Sequence, residues 1–137
     1  MILHIEQRSV DLLREETRRV YPVEACAILF GEITPEKAVV RKIVVTNNEL
    51  NSAERFEINP ETVVEAMEEA EKEGLKFLGL FHSHPAPSYP SVIDLRFMKL
   101  WGEAVWLILS SIDYSLAAFQ LKGADLKEIP ISLEQGT

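Results

Sequence analysis

The sequence predicts one domain of α/β or α+β class, built on a mixed sheet. Three observations carry this. Short apolar or Val/Ile-rich stretches recur at 26–30, 38–46 and 77–84. Two longer stretches, 9–20 and 59–74, gather their apolar residues on one helical face. Extended and helical stretches interleave without internal repeat, low-complexity tract or linker.

In chain order, residues 2–5 read as a short strand. Ser9 to Val20 has apolar residues at 10, 12, 13 and 20 among charges, which predicts a one-faced helix ended by Pro22. Cys26, Ile28 and Phe30 alternate along a strand that Gly31 closes, and 38–46 form the next strand. Asn47 to Glu54 is polar and turn-like. Asn59-Pro60-Glu61 starts a helix: Asn caps it, Pro suits its first position, and the acid meets the positive end of the dipole. Val63, Val64, Met67 and Ala70 form its buried stripe, and Gly74 ends it. A strand over 77–84, a helix over 91–101 and strands near 104–110, 114–121 and 127–133 complete the chain.

Composition bounds the function. At 137 residues the chain fits one domain with a substantial core. A formal charge of −8 argues against a nucleic-acid surface, which needs clustered Lys and Arg. Arg18-Arg19 and Arg41-Lys42 are too short to supply one and read as solvated edges. The single cysteine, Cys26, excludes a disulfide framework within the chain and a four-cysteine zinc site, and reads as a small buried hydrophobe. No leader pattern opens the sequence and no apolar run approaches bilayer length, so the expectation is a cytoplasmic protein without membrane partners.

Chemistry gathers around His82-Ser83-His84, which holds two of the three histidines. Strand alternation points both imidazoles to one face at the strand's end. Asp94, at the start of the next helix, can complete a three-ligand metal site. Three N/O ligands leave a position open, as catalytic zinc requires. Each part also has an ordinary reading. The histidines can be core and rim residues, and Ser91-x-x-Asp94 is a capping-box pattern that need not exclude a ligand role. The proline-rich segment 85–90 can be a stiff surface connection or a rigid lip beside a metal. Glu24, at the edge of an apolar strand, can be solvated or can be the carboxylate a zinc hydrolase needs for proton transfer. Trp101 and Trp106 read as packing residues, and His4 has no assigned role. A zinc nucleobase deaminase is set aside, because its His-x-Glu and paired cysteines are missing.

Together these segments resemble the JAMM (MPN-plus) metalloprotease family. Its signature is a distant Glu, then His-Ser/Thr-His-Pro, then Ser-x-x-Asp. Here it reads Glu24, His82-Ser83-His84-Pro85 and Ser91-Val92-Ile93-Asp94. Pro22-Val23-Glu24-Ala25-Cys26, Phe56-Glu57-Ile58-Asn59-Pro60 and Gly79-Leu80-Phe81-His82 extend the likeness over roughly residues 20 to 110. There are two departures. The stretch from His84 to Ser91 is one residue shorter than the commonest form, within the proline loop, and Ala27 stands where the family often has Gly.

The resemblance implies a cytidine-deaminase-like α/β fold, with a mixed central sheet flanked by helices, over 1–137 as a single catalytic domain. It implies one zinc ion per chain held by His82, His84 and Asp94, Glu24 as general base and then acid, and Ser91 as oxyanion stabiliser. The implied activity is hydrolysis after the C-terminal Gly-Gly of ubiquitin-like modifiers or their conjugates, as in archaeal-type stand-alone enzymes. Two other readings remain open: processing of ubiquitin-like sulfur-carrier proteins, and an inactive scaffold. The modifier itself and the oligomeric state, monomer or homodimer, are open at this stage.

Overall fold

The structure, a computed structural model, describes residues 1–135. Eight strands and three α-helices follow in the order β1 (Ile2–Glu6), α1 (Gln7–Val20), β2 (Cys26–Ile33), β3 (Lys37–Thr46), α2 (Pro60–Lys72), β4 (Lys76–His84), α3 (Val92–Met98), β5 (Val105–Ser110), β6 (Leu116–Lys122), β7 (Asp125–Ile129) and β8 (Ile131–Glu134). A 3₁₀ turn, Lys99–Trp101, extends α3. The result is the expected mixed α/β arrangement with a central sheet.

One sheet holds all eight strands in the order β7-β6-β5-β4-β2-β3-β1-β8. β4 and β5 pair in parallel, as do β1 with β3 and with β8; the other pairings are antiparallel. Alternation sorts the buried side chains onto two faces. Ala25, Ala27 and Leu29 of the β2 segment join Leu107 and Leu109 of β5 and Val10 and Leu13 of α1 on one face. Cys26, Ile28 and Phe30 join Trp106, Ile108, Ala66 and Ala70 of α2 and Met98 of α3 on the other. Both faces are thus covered by helices.

The structure corrects several sequence expectations. The predicted strand 127–133 is two strands. β7 pairs with β6 at one end of the sheet, and β8 pairs with β1 at the other. Only Pro130 separates them. A single residue spans a few ångströms, so the sheet must curl until its ends adjoin. Gly31 does not close β2, which runs on to Ile33 through a register shift at Phe30/Gly31. A Cβ at Gly31 would lie 1.8 Å from the Val39 carbonyl oxygen, so only glycine lets the bulged backbones approach.

On α2 the buried positions are Ala66 and Ala70, while Val64 of the predicted stripe is 54% exposed. On α1 it is Thr17, rather than Leu12, that joins Val10 and Leu13 in the interior; its hydroxyl donates to the Leu13 carbonyl. The α2 ends follow the predicted chemistry. Asn59 accepts from the Glu61 N–H at 2.8 Å, and the Leu75 and Gly74 N–H groups close back onto the Ala70 and Glu71 carbonyls.

Candidate metal centre

β4 is central, between β2 and β5, and its last residues carry the two histidines. Alternation turns His82 and His84 to the face that holds Phe56, Trp106 and Met98. Ser83 between them points the other way in function. Its Oγ accepts from the Ala25 N–H at 2.8 Å, and its own N–H donates to the Ala25 carbonyl. The tripeptide thereby fastens β4 to the segment carrying Glu24.

The short loop after β4 brings α3 back to the histidines. Asp94 Oδ2 lies 3.1 Å from His82 Nε2 and 2.8 Å from His84 Nε2, and the two Nε2 atoms are 3.0 Å apart. Ser91 caps α3: its Oγ accepts from the Asp94 N–H at 3.0 Å, and its own N–H donates to Asp94 Oδ2 at 2.9 Å. The capping box and the approach to the histidines therefore use the same carboxylate. Ala27, completely buried, packs in β2 without interrupting its pairing to Phe81.

Glu24 lies on the loop just before β2 and is only 1% exposed. A carboxylate oxygen of Glu24 and ring nitrogens of His82 and His84 all lie within 4.8 Å of one another. Neither Glu24 oxygen has a hydrogen-bond partner among the described residues. A buried carboxyl without partners is costly, and the cost indicates a group or water that completes it.

The two acids differ in charge state. Burial, reinforced by the negative charge of Asp94, pushes Glu24 up to about 9. Burial also opposes ionisation of Asp94, yet the hydrogen bonds of its carboxylate with His82, His84 and the Ser91 N–H outweigh it and hold the carboxyl well below its usual range. Burial lowers His82 and so favours the neutral imidazole, the form a metal ligand takes. Cys26 is pushed up to about 11 mainly by burial, and its Sγ lies against Thr46, 3.3 Å from the hydroxyl oxygen.

This donor set fits a zinc ion. Two imidazole nitrogens and a carboxylate oxygen are its ordinary N/O ligands. Ligands about 2.0 Å from a tetrahedral ion stand roughly 3.3 Å from each other, close to the 2.8–3.1 Å triangle formed by Asp94, His82 and His84. A cation there would also accommodate the close approach of the two Nε2 atoms, 3.0 Å apart, to one carboxylate oxygen.

Two cavities border the centre. One of about 440 Å³ is largely apolar and reaches Phe56, Leu80 and Trp106. Another of about 310 Å³ touches Glu24, Ala25 and Asn48. Two contacts here involve residues outside the predicted site. Phe56 stacks on His82 with ring centroids 4.8 Å apart, and Asn48 donates to the Glu24 carbonyl. Phe56 belonged to a recognised segment, but nothing in one sequence separates Asn48 from Asn47 and Asn51 beside it.

Fold and site together define a JAB-type domain. The chain matches the model of prokaryotic homologs of the JAB domain over residues 6–122 and belongs to that family. The JAMM resemblance read from the motif stands. Over 89 residues the chain is 46% identical to the desampylase of Pyrococcus furiosus, a match covering 64% of this chain and 60% of that protein's length. A desampylase of Haloferax volcanii is 30% identical over 114 residues, covering 82% of this chain and 80% of the relative. The solution structure of a protein from Desulfitobacterium hafniense superposes with a TM-score of 0.89 at 27% identity, covering 98% and 94% of the two chains.

Proposed function

We propose that the chain is a zinc metallo-isopeptidase, acting as one catalytic domain of cytidine-deaminase-like arrangement. Its substrates are ubiquitin-like modifiers or their protein conjugates, cut after a C-terminal Gly-Gly. The desampylase relatives support the substrate class. The observation that carries the reading is the triangle of Asp94, His82 and His84 beside a buried, unpartnered Glu24.

In this reading His82, His84 and Asp94 hold the ion. Bound there, zinc supplies Lewis-acid polarisation of the scissile carbonyl and lowers the pKa of water. Glu24 stands where a proton must be moved. Burial raises its pKa to about 9, and zinc held beside it would favour the ionised form and lower that value toward about 7, where one carboxyl can both take and return a proton. Glu24 removes the proton of the attacking water and then delivers it to the departing lysine amine. Ser91 accepts from the Asp94 N–H, and its hydroxyl hydrogen makes no bond to another described residue, so it is free to donate to the developing oxyanion.

The alternative in which Glu24 is the third ligand is disfavoured, because Asp94 is closer to both histidines and is held ionised. The test is cleavage of a ubiquitin-like protein joined through Gly-Gly to a lysine side chain. Glu24→Gln should lower turnover by about a thousandfold while leaving the fold intact. Turnover near wild type in Glu24→Gln would remove the base. Activity only on a C-terminal cysteine extension, with none on the isopeptide, would move the function to sulfur-carrier processing.

A further inference from the structure

We infer that Asn48 is a positioning residue: its side-chain amide joins the backbone of Glu24 to the loop that seats Phe56 on His82. This rests on the metal-centre reading above and extends it to residues outside the motif.

Metal-binding imidazoles are ordinarily oriented through a hydrogen bond at the other ring nitrogen. His82 Nδ1 is buried and has no partner among the described residues. Aromatic rings define its surroundings. Phe56 stacks on it at 4.8 Å with planes 24° apart, and Trp106 meets it edge-on at 5.7 Å and 83°. Trp106 is fixed within β5. Phe56 is not on any regular element, because the chain from 47 to 59 has no strand or helix. Core packing and one backbone bond, Glu49 N–H to the Glu57 carbonyl at 2.9 Å, contribute to its position, and a side chain adds to them.

Asn48 braces the loop on both sides of that residue. Its Nδ2 donates to the Arg55 carbonyl at 3.0 Å, and its Oδ1 accepts from the Glu57 N–H at 3.2 Å. The same Oδ1 accepts from the Leu50 N–H at 3.1 Å. The same Nδ2 reaches the Glu24 carbonyl at 3.2 Å and the Ser52 carbonyl at 3.3 Å. Ser52 in turn accepts from the Glu24 N–H at 2.8 Å. One planar amide therefore spans the base-bearing segment and both flanks of the ring on the ligand. Only an amide of this length does both tasks. Aspartate has the shape but would set a carboxylate against three carbonyl oxygens, and serine is too short to reach both segments.

The experiment is zinc affinity by competition with a chromophoric chelator, together with kcat and KM on the isopeptide substrate. Wild type, Asn48→Ala, Asn48→Asp, Phe56→Ala and the Asn48→Ala/Phe56→Ala double variant are compared, each checked by far-UV circular dichroism. Asn48→Ala and Phe56→Ala should each weaken zinc binding about tenfold. The double variant should be little worse than either single one, because both act on one contact with His82. Asn48→Asp, isosteric but without N–H donors, should lose as much as Asn48→Ala, and kcat should fall in both with KM nearly unchanged.

Wild-type zinc affinity and turnover in Asn48→Ala would overturn the inference. So would fully additive losses. Asn48→Ser is used where the alanine variant does not fold; failure of both to fold overturns the inference too, since the residue's role would then be stability alone. Absence of zinc binding by the wild type is a different result, and it strikes the metal-centre reading itself.

Discussion

Glu24 and Asp94 are both carboxylic acids and both buried, yet their neighbours drive them apart. Asp94 has two imidazoles and a backbone N–H; Glu24 has no partner among the described residues. This difference makes a pH prediction. In the metal-free folded protein Glu24 keeps its proton to about pH 9, whereas its ordinary value is 4.5. Its contribution to stability is complete below pH 4.5 and is lost as pH rises toward 9, by about 1.4 kcal/mol per pH unit. Asp94 and His82 act in the opposite sense, since their lowered pKa values stabilise the fold at higher pH and lose that contribution as pH falls. Denaturant unfolding of metal-free wild type and Glu24→Gln between about pH 6 and pH 8.5 isolates the first effect. Wild type should lose stability relative to the variant as pH rises; parallel curves would contradict a protonated Glu24.

At the scale of elements, the site depends on one strand end meeting one helix start. β4 aims the histidines, and the α3 cap aims Asp94. β4 can sit against β5 because residue 79 is glycine. A Cβ there would lie 1.7 Å from the Val105 carbonyl oxygen. Gly79→Ala should cost about 3 kcal/mol in denaturant unfolding, since backbone cannot yield as a flexible side chain can. A cost within experimental error would show that β4 and β5 are less closely packed. These elements were legible in the sequence because their signals are local: Asn59-Pro60 at a helix start, alternation into His82, Ser91 three residues before Asp94. Val64 and Leu12 misled, because on short helices several faces look apolar and only the packed sheet decides which is buried. Asn48 was illegible because its partners, Glu24, Arg55 and Glu57, come from separate stretches of chain.

For the whole molecule, the decisive feature is the curl of the sheet. β8 covers the open edge of β1, pairing Ile131 with Leu3 and Leu133 with Ile5, while β7 occupies the opposite edge. Nothing local predicts this, since 127–133 reads as one strand until Pro130 is seen to divide two edges. A chain ending at Pro130 should melt about 5 °C or more below the full chain, because β1 loses its outer partner. An unchanged melting temperature would make β8 dispensable. The residues proposed to hold zinc lie on β4 and α3, neither of which pairs with β8, so a shortened chain that stays folded should bind zinc as the full chain does. No helix of the described residues is long and apolar enough to cross a membrane.

In the proposed site Asp94 holds the ion and Glu24 moves the proton. Zinc per chain after dialysis against free ion, measured for wild type, Glu24→Gln and Asp94→Ala with folding verified by circular dichroism, tests it most directly. Wild type and Glu24→Gln should each hold one zinc per chain, and Asp94→Ala none. Zinc retained by Asp94→Ala and lost from Glu24→Gln would reverse the two roles and contradict it.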